Sequence, residues 1–173
     1  VTAWGVCHGI RACLEVTYGS PDVSGRTVAI QGVGNVGYWL AKYLHDQGAK
    51  LLYADVSGKR LSRAMDAFGG TVIEGDEFYK AECDVLAPCA IGGIVNPRTI
   101  PMLRAPIIAG GANNVLDDER RDGETLSNRG INYAPDYVIN AGGLINVYSE
   151  LKGYGRDKAM LDSANIFDTV KRV

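Results

Sequence analysis

The feature that most limits what this chain can fold into is a glycine turn, Gly32-Val33-Gly34-Asn35-Val36-Gly37, set between two hydrophobic rhythms. Before it runs Thr27-Val28-Ala29-Ile30-Gln31, a short β-rich stretch. After it Val36, Leu40, Tyr43 and Leu44 recur at helical spacing as far as Gln47, and Gly48 stops the run. Strand, glycine turn and helix in that order are the context of a dinucleotide fingerprint. Gly32 permits the tight turn, Gly34 has no Cβ to block a pyrophosphate, and Gly37 lets the helix pack close to the strand. The helix start, with Asn35 and Val36, offers free N–H groups and a positive dipole end to phosphates. The turn alone also reads as a plain structural connection, because a chain with 22 glycines meets such hexapeptides by chance.

The next element shifts that balance. Lys50-Leu51-Leu52-Tyr53-Ala54-Asp55 reads as a second buried strand ending in an acid, 18 residues beyond Gly37. A carboxylate at about that offset, roughly 20 residues, holds the adenosine ribose hydroxyls. It also repels a 2′-phosphate, which favours NAD over NADP. Lys59 and Arg60 follow closely, either softening that preference or simply standing as a solvated helix start.

Composition narrows the rest. At 173 residues the chain is one domain, 1–173, with 46% hydrophobic and 22% charged residues, which excludes disorder. A net charge of −2 without a basic run argues against nucleic acid or an anionic membrane as partner. No apolar run approaches the ~18 residues of a membrane span. Cys7, Cys13, Cys83 and Cys89 form no C-x-x-C pair, so free thiols in a reducing cytoplasm are expected. His8 and His45 are the only histidines, too few for a His-rich metal site, and no metal is expected.

The remaining chain alternates strand and helix. Val1–Tyr18 reads as a helix with Val6, Ile10, Cys13 and Leu14 on one face. It starts without a cap, and Val1 stands where a natural protein has Met, so the chain is expected to be cut from a longer one. Ser57 is placed to cap a helix carrying Leu61, Met65 and Phe68, closed by Gly69-Gly70. Thr71–Ile73, Cys83–Ala87, Pro106–Ala109 and Ile131–Ala134 read as further strands, and Asp76–Lys80 as one helical turn. Asn96-Pro97 predicts a short helix, and Asp122–Asn128 another, ended by Gly130. Asn140–Gly143 opens a helix through Leu144, Val147, Tyr148 and Leu151, and Asp157 is placed to cap a last one. The expected fold is α/β and Rossmann-like, a mostly parallel sheet with helices on both faces.

In such sheets ligands bind beyond the carboxyl ends of the strands. The loops leaving those ends are Gly32–Gly37, Pro88-Cys89-Ala90, Gly110–Asn114 and Pro135–Gly143, rich in small and amide residues. Amide side chains donate and accept towards a carboxamide substituent. Cys89 reads as small and buried, because no His accompanies it as a nucleophile needs. Neither His lies in these loops, so no general acid/base pair is visible.

At Gln31–Gly37, Pro88–Ala90, Gly110–Asn114 and Tyr133-Ala134-Pro135-Asp136-Tyr137-Val138-Ile139-Asn140-Ala141-Gly142-Gly143 the sequence resembles the amino-acid dehydrogenases, nearest to the leucine, phenylalanine and valine branch. The resemblance runs along essentially the whole chain and covers the C-terminal cofactor domain of that family. It implies reversible oxidative deamination of an L-amino acid, with hydride passing from substrate Cα to nicotinamide C4. It implies a partner domain at the N-terminal side that carries the catalytic lysines and aspartate, so no catalytic base belongs to these residues. It further implies one reversed strand and a full-length homo-oligomer. Gly32, Gly34 and Gly37 would carry the pyrophosphate and Asp55 the ribose of NAD. Thr2, Cys89, Ala90 and Asn113 would line the nicotinamide side, Ala109 would also stand at the cofactor, and Asn140 would face the reacting centre.

Leu144 and Val147 lie at i and i+3, on one helix face. In the glutamate dehydrogenases the residue matching Val147 is a serine that contacts the substrate carboxylate. An apolar wall would leave such a carboxylate unpaired at several kcal/mol. Val147 thus favours an apolar amino acid, leucine first, then phenylalanine or valine; Val147 as plain core is the alternative. Two other readings stay open: a stand-alone dinucleotide-binding or redox-sensing module, and a glutamate dehydrogenase fragment.

Overall fold

The computed structural model describes residues 1–173. Six strands form its sheet: β1 (Thr27–Gln31), β2 (Lys50–Ala54), β3 (Thr71–Val72), β4 (Val85–Pro88), β5 (Ile107–Ile108) and β6 (Asn132–Tyr133). Their order is β3-β2-β1-β4-β5-β6. The chain starts at the centre, winds outward to β3, then returns to build the other half from β4. The switch point therefore lies between β1 and β4, where Gln31 pairs with Pro88.

Every neighbouring pair is parallel. The reversed strand implied by the resemblance is thus corrected. The connections give the reason: α2 (Asn35–Asp46), α3 (Gly58–Phe68) and α4 (Glu119–Asn128) each carry the chain back across the sheet. A crossover of that kind restores strand direction, and only a hairpin-type link would reverse it.

Strand alternation divides the core into two layers. Val28 and Ile30 face the larger layer, and Ala29 between them faces the other. The larger layer lies under α1 (Thr2–Tyr18), α2, α3, α5 (Asp136–Ile139) and α8 (Ile166–Val170). As expected, α1 buries Val6, Ile10, Cys13 and Leu14. The second layer lies under α4, Phe78 and the segment from Ile94 to Leu103. Burying one such aliphatic side chain stabilises by about 1.5–3 kcal/mol, so these layers hold the sheet that carries the loops.

Ser57 caps α3 as expected, accepting the Arg60 N–H at 3.4 Å. The four cysteines are unpaired. No helix is long and apolar enough to cross a membrane.

Three local expectations change. Asn96 does cap, accepting the N–H groups of Arg98 and Thr99 at 3.0 and 3.1 Å, yet no α-helix follows. The Ile100 N–H reaches the Asn96 carbonyl, and the next residue, Pro101, has no N–H to extend the ladder. Only a 3-10 turn, Ile100–Met102, remains. Before the expected helix at Asn140, residues that read as loop form α5, and α6 spans Gly142–Leu151. The last helical stretch is two helices, α7 (Arg156–Ala164) and α8, with Gly155 rather than Asp157 at the first N-cap.

Candidate functional site

The carboxyl ends of the central strands bring the four loops together. Gly32 turns with φ +87°, and a methyl there would lie 2.6 Å from the Ala90 side chain. A methyl on Gly37 would overlap the Gly32 carbonyl oxygen and sit 3.4 Å from Cys89 Cβ. The first turn of α2, the glycine loop and the loop after β4 are therefore closely packed. Gly34 differs: the one atom within 4 Å of a methyl there is Arg60 Nη1, at 3.9 Å. Gly34 is also the N-cap of α2, with no side-chain cap on the first-turn N–H groups. Open space beside the first-turn amides, including Asn35 and Val36, is the cradle an anion needs.

Asp55, just beyond β2, has a side chain only 3% exposed. One carboxylate oxygen accepts the Val33 N–H at 2.8 Å, and the other accepts the Ser57 N–H at 2.8 Å. Asp55 thus ties the glycine loop to the start of α3. A carboxylate has about four lone-pair sites, so acceptor capacity remains for hydroxyls.

On the other side of the switch point, the Asn140 amide donates to Asn113 Oδ1 at 2.5 Å. That bond joins the loop after β5 to the end of α5. Asp136 reinforces it, accepting the Val115 N–H at 3.1 Å, while the Asp136 N–H donates to the Tyr133 hydroxyl at 3.3 Å. Asp136 has no role assigned from the sequence, although an acid directly after Pro135 suits a helix start. Thr2, at the start of α1, meets the start of α6: a methyl on Gly143 would lie 3.1 Å from its hydroxyl. Gly111 sits between Val36 and Cys89, which brings the loop after β5 against the glycine turn.

Burial pushes the Cys89 thiol up to about 11, opposed by a hydrogen bond from the Gly111 backbone. At neutral pH the thiol is protonated, so it has no nucleophilic thiolate to offer. Ala109 was expected at the cofactor; it is 0% exposed and packs inside the larger core layer. Leu144 and Val147 are 75% and 51% exposed, on the uncovered side of α6.

The sequence pattern of the Glutamate/Leucine/Phenylalanine/Valine dehydrogenase family matches residues 1–59 and 57–160. The chain belongs to this family. It is 48% identical over 173 residues to a leucine dehydrogenase of Bacillus cereus, covering 100% of this chain and 47% of that protein. It is 48% identical over 170 residues to an L-tryptophan dehydrogenase of Nostoc punctiforme, covering 98% of this chain and 48% of that one. The crystal structure of L-tryptophan dehydrogenase from Nostoc punctiforme superposes with a TM-score of 0.95 at 47% identity, over 98% of this chain and 52% of that chain. The chain spans about half the length of the curated relatives it matches.

Membership in this dehydrogenase family, with this Rossmann-like sheet, implies a nicotinamide dinucleotide cofactor. The residues fit one. Gly34 leaves the space a pyrophosphate needs, the first-turn amides of α2 are uncapped, and Asp55 beside them keeps acceptor capacity for hydroxyls.

Proposed function

We propose that this chain is the NAD-binding domain of an enzyme that reversibly deaminates an apolar L-amino acid to its 2-oxo acid and ammonia. Leucine is the first choice of substrate, then phenylalanine or valine. The observation that carries this reading is the meeting, at the carboxyl end of the sheet, of the glycine turn with the loop after β5 that bears the Asn113–Asn140 pair. Gly32, Gly34, Asn35, Val36 and Gly37 hold the pyrophosphate, and Asp55 holds the adenosine ribose. Thr2, Cys89, Ala90 and Asn113 border the nicotinamide side, and Asn140 faces the reacting centre. When bound, the nicotinamide ring accepts the hydride from substrate Cα. Leu144 and Val147 present an apolar wall to the substrate side chain, and their exposure supports a role outside the core of this domain. The proton-transferring groups belong to a further domain, which fits relatives about twice as long. That larger enzyme works in the cytoplasm as a homo-oligomer.

The test is direct. The 173-residue chain is expected to bind NAD in an equilibrium titration and to produce no steady-state NADH with leucine. Turnover by the chain alone would overturn the assignment of the bases elsewhere, and absence of dinucleotide binding would overturn the whole reading. A full-length enzyme containing this chain that turned over glutamate faster than leucine or phenylalanine would sink the substrate choice.

Asp55→Ser is expected to narrow the preference for NAD over NADP, read as the ratio of the two dissociation constants. Serine is too short to serve both the Val33 and Ser57 N–H groups, so a loss of about 1–3 kcal/mol per abandoned donor accompanies it. Unchanged NAD/NADP selectivity in a folded variant would remove Asp55 from the ribose site.

A further inference from the structure

Three cations cluster at the start of α3: Lys59, Arg60 and Arg63. Arg63 lies over the Tyr38 ring, 3.9 Å from its centroid, and is thereby occupied. Arg60 points the other way. Its Nη1 lies 3.9 Å from Asp55 Oδ2, and the same nitrogen lies 3.9 Å from where a methyl on Gly34 would stand. One guanidinium thus hangs over both the acid at the ribose position and the second glycine of the turn. Its backbone is fixed, since the Arg60 N–H is bound by the Ser57 cap.

The two partners differ sharply in burial. The Arg60 side chain is 58% exposed, and that of Asp55 only 3%. An ion pair that is half in water and this long is worth about 0–1 kcal/mol, so Arg60 leaves it readily. Asp55 stays, held by two backbone donors. The adenosine end therefore has one immobile acid that repels a 2′-phosphate and one loosely held guanidinium beside it. A guanidinium presents a planar fork suited to bidentate phosphate contact, which a lysine ammonium does not reproduce.

We propose that Arg60 is a specificity-determining residue of the adenosine subsite, swinging from Asp55 onto a phosphate carried on the ribose 2′ oxygen. Asp55 then sets the direction of the NAD/NADP preference and Arg60 limits its steepness. The inference rests on the dinucleotide-binding reading above. The fork leaves Asp55 when a 2′-phosphate arrives, and with NAD it remains a weak cover that the ribose displaces.

The experiment is a calorimetric titration of the chain and of Arg60→Gln and Arg60→Lys with NAD and NADP. ADP and adenosine 2′,5′-bisphosphate serve as fragment probes. Arg60→Gln is expected to weaken NADP and the bisphosphate by about ten- to a hundredfold, the range of a charge-assisted hydrogen-bonded contact. NAD and ADP should shift by less than about threefold, as for a weak exposed pair. Arg60→Lys should restore only part of the loss. Circular dichroism of each variant checks the fold. If NAD and ADP bind but Arg60→Gln leaves the NAD/NADP ratio unchanged, or weakens both alike, the role of Arg60 is refuted while the dinucleotide site stands. If neither dinucleotide binds the parent chain, both readings fall together.

Discussion

Gly34→Ala is expected to keep the fold and lose the cofactor. A methyl at this position meets nothing nearer than Arg60 Nη1 at 3.9 Å. The backbone is extended, with φ −67° and ψ −153°, which alanine adopts. Alanine is a poorer N-cap than glycine, so thermal stability should fall by about 1 kcal/mol or less, with the fold kept. The methyl nevertheless occupies the space through which a pyrophosphate approaches the first-turn amides of α2. Losing two charge-assisted hydrogen bonds at about 1.5–3 kcal/mol each predicts at least a hundredfold weaker binding. A thermal melt and an NAD titration on one preparation read both quantities. A variant that binds NAD like the parent would detach the glycine turn from the cofactor.

Three residues along the same turn, Gly37→Ala is expected to do the opposite. Its methyl would overlap the Gly32 carbonyl oxygen and press to 3.4 Å on Cys89 Cβ. Backbone is the obstacle here, so no side chain can swing aside. Either α2 lifts from the end of β1 or the turn opens, and both disturb the larger core layer around Leu40 and Leu44. Overpacking of this kind costs about 1–3 kcal/mol or more, a drop of about 2–12 °C in melting temperature for a domain of this size. A melt within about 1 °C of the parent would refute the close approach of α2 to the glycine turn at Gly37.

These two glycines indicate how much was legible beforehand. The glycine turn, the acid at Asp55 and the alternation of strands with helices were readable, because each depends on local spacing. The Ser57 cap and the buried face of α1 were readable for the same reason. The helix expected at Asn96 was not formed, since Pro101 withdraws one N–H just where the second turn needs it. The parallel direction of every strand depends on which connections cross the sheet, and a resemblance to a family supplied the wrong answer there. Asn113 and Asn140 stand 27 residues apart, so their hydrogen bond follows from the sheet order alone. The burial of Ala109 belongs to the same class, being set by helices from both halves of the chain. Arg60 read better as a solvated helix start, and only the folded chain brings its guanidinium to 3.9 Å from Asp55.

The double hold of Asp55 on the Val33 and Ser57 N–H groups has a thermodynamic consequence. Fixing backbone costs about 1–2 kcal/mol per residue in lost conformational freedom. A six-residue turn that became ordered only around its ligand would subtract that sum from every binding event. Here the carboxylate settles the turn during folding, so a dinucleotide meets a receptor whose entropy has already been surrendered. Affinity then reflects the contacts themselves, and loss of the Asp55 side chain should add a less favourable binding entropy to the loss of its ribose contacts.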